Sequence, residues 1–269
     1  MSKINNLYFK LFITCIIKYN FLYYDSMKKY KIVQIFGINF IDEKYKVIKF
    51  LLDKGGLLVL PSGPGLSDIN RNNKYHQALK NADIVLFDSG YLCLLLRIKG
   101  IKVKKFSGFK FFKKLLVSLK SEYKAKIFLV DPTYEQSKIN GKLFKLKKIS
   151  KTYHYVAPLY KKNQIQDLKL LNKIRKIKPK YIIINLGGNV QEVLGYYLKK
   201  NLDYKPSIIC SGAAISYFTK QQAPLTNFLD NIYLGWLVRI IFNPIVFFPR
   251  YLMSFKLFFL VRNNDANYK

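Results

Sequence analysis

The chain has 269 residues, half of them apolar and 16% aromatic, with nine prolines; that composition excludes a disordered chain and a small disulfide scaffold. Lys+Arg of 47 against Asp+Glu of 15 gives a formal net charge of +32, which calls for an anionic counterpart such as nucleic acid, a lipid surface or phosphorylated substrates. Only six of the cations are arginine, so part of the charge reflects a generic lysine-rich surface rather than a phosphate-gripping patch.

In chain order, Met1 to Ser26 matches no later unit and reads as an extension, residues 1–26, of uncertain structure. From Met27 the pattern becomes regular. Short apolar runs bounded by Gly, Pro, Asp or Ser predict strands over Lys31–Phe36, Leu57–Leu60, Ile84–Phe87, Ile127–Val130, Tyr153–Ala157, Tyr181–Leu186 and Ser207–Cys210. Between them, helical segments are predicted around Glu43–Asp53, Asn70–Ala82, Tyr91–Ile98, Phe109–Leu119, Gln164–Ile177 and Gln191–Lys200. This alternation predicts an α/β fold: a Rossmann-like, open and mostly parallel sheet with helices on both faces, over residues 27–226. After Cys210 the pattern turns helical and aromatic. Pro244 and Pro249 divide Ile232–Val261 into two or three short helices, in an appendage over residues 227–269.

Cys15, Cys93 and Cys210 are far apart and set in apolar runs, which suggests neither disulfides nor a zinc site and fits a reducing, cytosolic setting. Lys10 and Lys18 at one end, and Arg239, Arg250 and Lys256 at the other, interrupt the apolar stretches. No uninterrupted run reaches the ~20 residues of a spanning helix, so the chain is expected not to cross a membrane.

Ligands of an open parallel sheet bind beyond the carboxyl ends of its strands. Four strand ends carry chemistry here. Pro61-Ser62-Gly63-Pro64-Gly65 is a rigid loop that lets backbone amides approach a ligand, or an ordinary tight turn. Asp88-Ser89-Gly90 places a carboxylate before a helix, as a base or as a helix cap. Gly187-Gly188-Asn189-Val190-Gln191-Glu192 opens a helix whose free amides suit an anion. Ser211-Gly212-Ala213-Ala214 permits close approach of a ligand or of a helix. Asp131 is the only comparable carboxylate, and His76 and His154 lie away from the strand ends. With no Asp-x-Asp, His-Glu-x-x-His or Gly-x-Ser-x-Gly motif, a group transfer without a metal or other cofactor is expected.

Asp88, Lys105-Phe106-Ser107-Gly108, the Gln191-Glu192 loop, Gly212-Ala213-Ala214, Ala223-Pro224 and Leu234-Gly235-Trp236-Leu237-Val238-Arg239, followed by Pro244 and Arg250-Tyr251, occur in an order that resembles the WecG/TagA/CpsF glycosyltransferase family. The resemblance runs from about Lys31 to Tyr251. It implies an inverting transferase that moves an N-acetylmannosamine-like sugar from a UDP-sugar to a polyprenyl-pyrophosphate-linked sugar in cell-envelope or exopolysaccharide synthesis. It also implies a peripheral enzyme on the cytoplasmic face of the cell membrane, held at an anionic surface by its tail.

By position, the resemblance implies that Asp88 is the base and that Gln191 and Glu192 line the donor site. Arg239 and Arg250 would then face the pyrophosphates, with Ser62, Gly63, Lys105, Gly187, Gly188, Asn189 and Gly212 as further substrate contacts. Several positions depart from the family's usual pattern. Leu60-Pro61-Ser62-Gly63 stands where Thr-Pro-Asn is usual, Ser89 is inserted after Asp88, and Lys105 replaces an Arg. Gly235 replaces a Glu, and Phe247-Phe248 stands where basic residues are common. The alternative from charge alone is a non-catalytic, basic nucleic-acid-binding α/β protein, although no specific nucleic-acid motif is present. The helices of an open sheet could support a homo-oligomer.

Overall fold

The computed structural model describes residues 30–149, 151–161, 164–219, 221, 230 and 235–269. The leader with Cys15, the Ala223-Pro224 pair and the start of the tail helices at Ile232 lie outside the described residues. All described elements belong to one compact unit, Ile32–Lys269.

Nine strands, β1 (Ile32–Ile35), β2 (Ile38–Ile41), β3 (Gly56–Val59), β4 (Ile84–Leu86), β5 (Ile127–Asp131), β6 (Thr152–Val156), β7 (Tyr181–Ile184), β8 (Ser207–Cys210) and β9 (Asn267–Tyr268), form one sheet in the order β6-β5-β7-β8-β3-β4-β2-β1-β9. The seven strands from β6 to β2 are parallel, while β1 pairs antiparallel with both β2 and β9. All seven predicted strands are present, so the Rossmann-like α/β reading holds.

Successive strand residues feed two apolar layers. Leu57, Val59, Phe128, Val130, Ile182 and Ile184 face one way, and Leu58, Leu60, Leu129 and Ile183 face the other. Helices α3 (Asn73–Lys80), α4 (Gly90–Ile98), α7 (Leu168–Ile177) and α8 (Val190–Asn201) cover the first layer, and α1 (Tyr45–Asp53), α5 (Gly108–Ser121) and α6 (Tyr134–Leu146) the second. Helix α5 shows why. Ser107 accepts a hydrogen bond from the Lys110 amide, and Phe111, Phe112, Leu115, Leu116 and Leu119 recur on one buried stripe while Lys113, Lys114 and Lys120 stay exposed.

Two elements differ from the sequence expectation at the site. The Pro61–Gly65 stretch is not only a loop: Ser62 caps a short helix, α2 (Gly63–Ser67), with Pro64 in its first turn. The helix after β4 is capped by Ser89, which accepts from the Leu92 amide at 3.2 Å, and not by Asp88.

The tail forms α9 (Gly235–Phe242), α10 (Pro244–Met253) and α11 (Lys256–Arg262), with Pro244 opening α10 and Pro249 inside it. By length and composition alone Pro244–Arg262 is sufficient to cross a membrane, contrary to the expectation from its interrupting cations. Its packing is otherwise. Ser254 breaks the rod and is buried, and Leu257 and Val261 enter the core beneath it. The chain then returns to the sheet, where β9 pairs with β1.

Candidate active site

The carboxyl ends of the parallel strands bring most of the predicted residues to one edge. Asp88, half-buried after β4, accepts the Gly108 amide on Oδ1 at 2.7 Å. Because Ser89 does the capping, this carboxylate is left for other work. Burial raises its pKa, and the Gly108 hydrogen bond and the Lys105 and Arg239 charges pull it back down.

Arg239, from α9, donates through Nε to the Tyr217 hydroxyl at 2.7 Å and through Nη1 to the Tyr251 hydroxyl at 3.3 Å. Its guanidinium lies 5.3 Å from the Tyr217 ring centre. Burial pushes the Tyr217 phenol up to about 12. Two tyrosines that sequence reasoning did not single out therefore hold this tail cation where its charge acts on the Asp88 carboxylate. Tyr251 was noted only as part of the Arg250-Tyr251 pair, and Tyr217 lies beyond any strand end, so only the fold reveals them.

Lys105 is engaged. Its Nζ reaches Asp230 Oδ1 at 2.7 Å, Ser107 Oγ donates to Asp230 Oδ2 at 2.6 Å, and Lys110 lies 3.3 Å from the same oxygen. Burial would raise the Asp230 carboxyl, but Lys105, Ser107 and Lys110 together hold the group below its usual range. Arg250 is exposed on α10 and is not gathered with the Asp88 group.

On the other side of Asp88, the loop after β3 meets the loop after β7. A Cβ added at Gly65 would lie 2.8 Å from the Tyr75 hydroxyl and 3.2 Å from Asn189 Oδ1. At Gly63 it would lie 3.0 Å from Ser89 Oγ and 3.7 Å from Ser254 Oγ, so this close approach ties α2 to the tail. Gly187 and Gly188 are exposed with open space above them, and lead into α8 through Asn189 at φ +73°. Gln191 is buried; its Oε1 accepts the Gly212 amide at 2.7 Å and its Nε2 donates to Glu192 Oε1 at 3.0 Å. Glu192 is 1% exposed, and burial pushes its pKa up to about 7. Its Oε2 and Asn189 Oδ1 are buried without a hydrogen-bond partner.

This edge is where an open α/β sheet holds ligands: a carboxylate with one restrained oxygen, a half-buried cation within its electrostatic reach, and a glycine-lined helix N-terminus. The sequence profile of the "Glycosyl transferase WecG/TagA/CpsF family" matches residues 33–268. The chain belongs to that family. No curated protein matches the chain. Family membership makes this a glycosyltransferase of cell-envelope polysaccharide synthesis, and residues 33–268 include the whole edge together with the tail helices.

Among the described residues, no group of three or more His, Cys, Asp and Glu side chains is placed to hold a metal ion. Cys93 and Cys210 are buried free thiols.

Proposed function

We propose that the chain is an inverting transferase that moves a sugar from a UDP-sugar to a polyprenyl-pyrophosphate-linked acceptor, with Asp88 as the base. The observation that carries this is the release of Asp88 from helix capping. One oxygen is fixed by Gly108, and the half-buried carboxylate is left to take a proton from an acceptor hydroxyl. The acceptor's hydroxyl oxygen, as it loses that proton to Asp88, attacks the anomeric carbon from the face opposite the diphosphate, the glycosyl–oxygen bond to the diphosphate breaks, and UDP leaves with the electron pair. Burial raises the Asp88 carboxyl, which suits it to take a proton; the Arg239 charge favours its ionised form and would also face the growing diphosphate charge. The Gly187 and Gly188 amides before the N-terminus of α8, with open space above them, supply the remaining donors. Gln191 and Glu192 form the wall behind them.

The enzyme works as a peripheral protein on the inner face of the cell membrane. Supporting this, Ile241, Phe242, Ile245, Phe248, Phe255 and Phe259 are all more than half exposed on the tail, next to the exposed cations Arg250, Lys256 and Arg262. Each cation near an anionic leaflet adds ~1 kcal/mol. The tail thus presents its apolar surface to the phase that carries the acceptor, while Arg239 on the same tail reaches the base. On this reading the +32 charge serves a lipid surface and pyrophosphate substrates.

The test is sugar transfer from a panel of UDP-sugars to a polyprenyl-pyrophosphate acceptor. Asp88→Asn should abolish transfer while the rise in melting temperature produced by UDP persists. Turnover retained in this variant would remove Asp88 from the role.

A further inference from the structure

Asp131, the last residue of β5, is a carboxylate that the proposed mechanism leaves unused. Its side chain is fully buried. Oδ1 accepts the amide of Asn140, from α6, at 2.6 Å and that of Asn185, just past β7, at 2.7 Å. Asn185 Oδ1 in turn accepts Ser211 Oγ, just past β8, at 2.6 Å. The next residue, Gly212, donates its amide to Gln191 Oε1, and Gln191 holds Glu192. Two runs of polar contacts, joined by the Ser211–Gly212 peptide link, therefore cross the carboxyl ends of β5, β7 and β8 and end in the wall of the candidate site.

Its location is informative. The chain leaves β5 toward β6 at the sheet edge but leaves β7 toward β8 at the centre. The two connections diverge there, opening the crevice in which such sheets hold ligands.

The cost is informative too. Asp131 Oδ2 and Asn140 Oδ1 are buried without a partner, and His154 Nδ1 is 3.8 Å from that Oδ2. A buried carboxyl group with an oxygen left without a hydrogen-bond partner is poorer for stability than an apolar replacement of like volume. A fold selected for stability alone gains nothing from a carboxylate here. A site that needs Gln191 held in one orientation does, because supporting contacts lock the group that meets the substrate.

We infer that Asp131 is a positioning residue of the donor site: through Asn185 and Ser211 it fixes the Gly212 turn, and through that turn it sets the orientation of Gln191. The link to the donor rests on the proposed function above; the polar series itself does not.

Ser211→Ala removes one link near the site end with little risk to folding, and Asp131→Ala removes the origin. Asp131→Asn, which retains an acceptor for both amides, is the conservative control. In each protein, hydrogen exchange at the Gly212 amide is followed without ligand, and UDP binding is measured by calorimetry. Ser211→Ala and Asp131→Ala should each speed Gly212 exchange and raise the UDP Kd by roughly tenfold, the scale of one lost hydrogen bond to a restrained group, and Asp131→Asn should recover most of both. A merely structural role would lower the melting temperature and leave the Kd of the folded protein unchanged, which overturns the inference. Unchanged Gly212 exchange in Ser211→Ala overturns it as well, whatever UDP does. If the unmutated protein takes up no UDP, the donor reading falls, and Gly212 exchange still decides the polar series.

Discussion

Replacing Glu192 by Gln should stabilise the protein increasingly as pH rises. Burial lifts this carboxyl from 4.5 to about 7, so between those values the folded state holds a proton that the unfolded state has released. Stability from this group is complete below about 4.5 and is lost as pH climbs through 7. At 1.36 kcal/mol per pKa unit, the ceiling is about 3 kcal/mol. Gln carries no such penalty. Asp88 titrates with the same sign and Asp230 and Glu122 with the opposite one, so the quantity to follow is the difference between the unmutated protein and Glu192→Gln. About 2.5 kcal/mol of this is lost between pH 5 and pH 8, so with ~2–4 °C per kcal/mol for a domain of this size that difference should shift by roughly 5–10 °C in favour of the variant over that range in thermal scans. A difference independent of pH, or one that shifts toward the unmutated protein at pH 8, would refute the argument that burial outweighs the hydrogen bonds made to Glu192.

Three further outcomes are expected. Gly55→Ala should cost about 3 kcal/mol in urea unfolding, because φ is +77° and an added Cβ would collide with the Lys205 carbonyl. Phe248→Asp combined with Phe259→Asp should reduce partition onto anionic vesicles at least tenfold, since each buried Phe contributes ~1.5–3 kcal/mol; unchanged partition in flotation would take the tail out of membrane contact. Arg239→Gln should raise the pKa of Asp88, whose carboxylate it favours, and so move the acid limb of the transfer rate upward in pH.

The parallel core was legible because strands β3, β4, β5, β7 and β8 are buried along their whole length and so read as apolar runs. Strand β2 was not. It follows a two-residue turn with Phe36 at φ +58° and Gly37 at φ +68°, a hairpin geometry ordinarily announced by Asn-Gly. Helix α6 was missed for a related reason: Asn140 and Gly141 interrupt its apolar pattern. Asn140 is there to meet Asp131, and Gly141 admits the His154 ring, which would lie 3.1 Å from an added Cβ.

At the site, the strand-end rule found Asp88 and the Gln191 loop. It could not assign the cap to Ser89 rather than Asp88, which is a matter of side-chain rotamer. Nor could it foresee Asp230 on Lys105, a pairing across 125 residues of chain. Tyr217 escaped notice because nothing local distinguishes it from the other 20 tyrosines.

The pairing of Asn267–Tyr268 with Val33–Gln34 bears on how the tail can be dissected. The segment 267–269 acts as a clasp: Lys269 N donates to Ile32 O at 3.0 Å and the Tyr268 hydroxyl to Lys102 O at 3.0 Å. It also covers an edge of the sheet that would otherwise invite pairing with another chain. Cutting the protein before Gly235 would unfasten that clasp together with the apolar helices, and the shortened chain would tend to self-associate. Altered behaviour on vesicles would then mix a lost surface with a gained one. Single substitutions on the outward faces of α10 and α11 leave the clasp closed, and they separate membrane contact from sheet-edge protection in a way that truncation cannot.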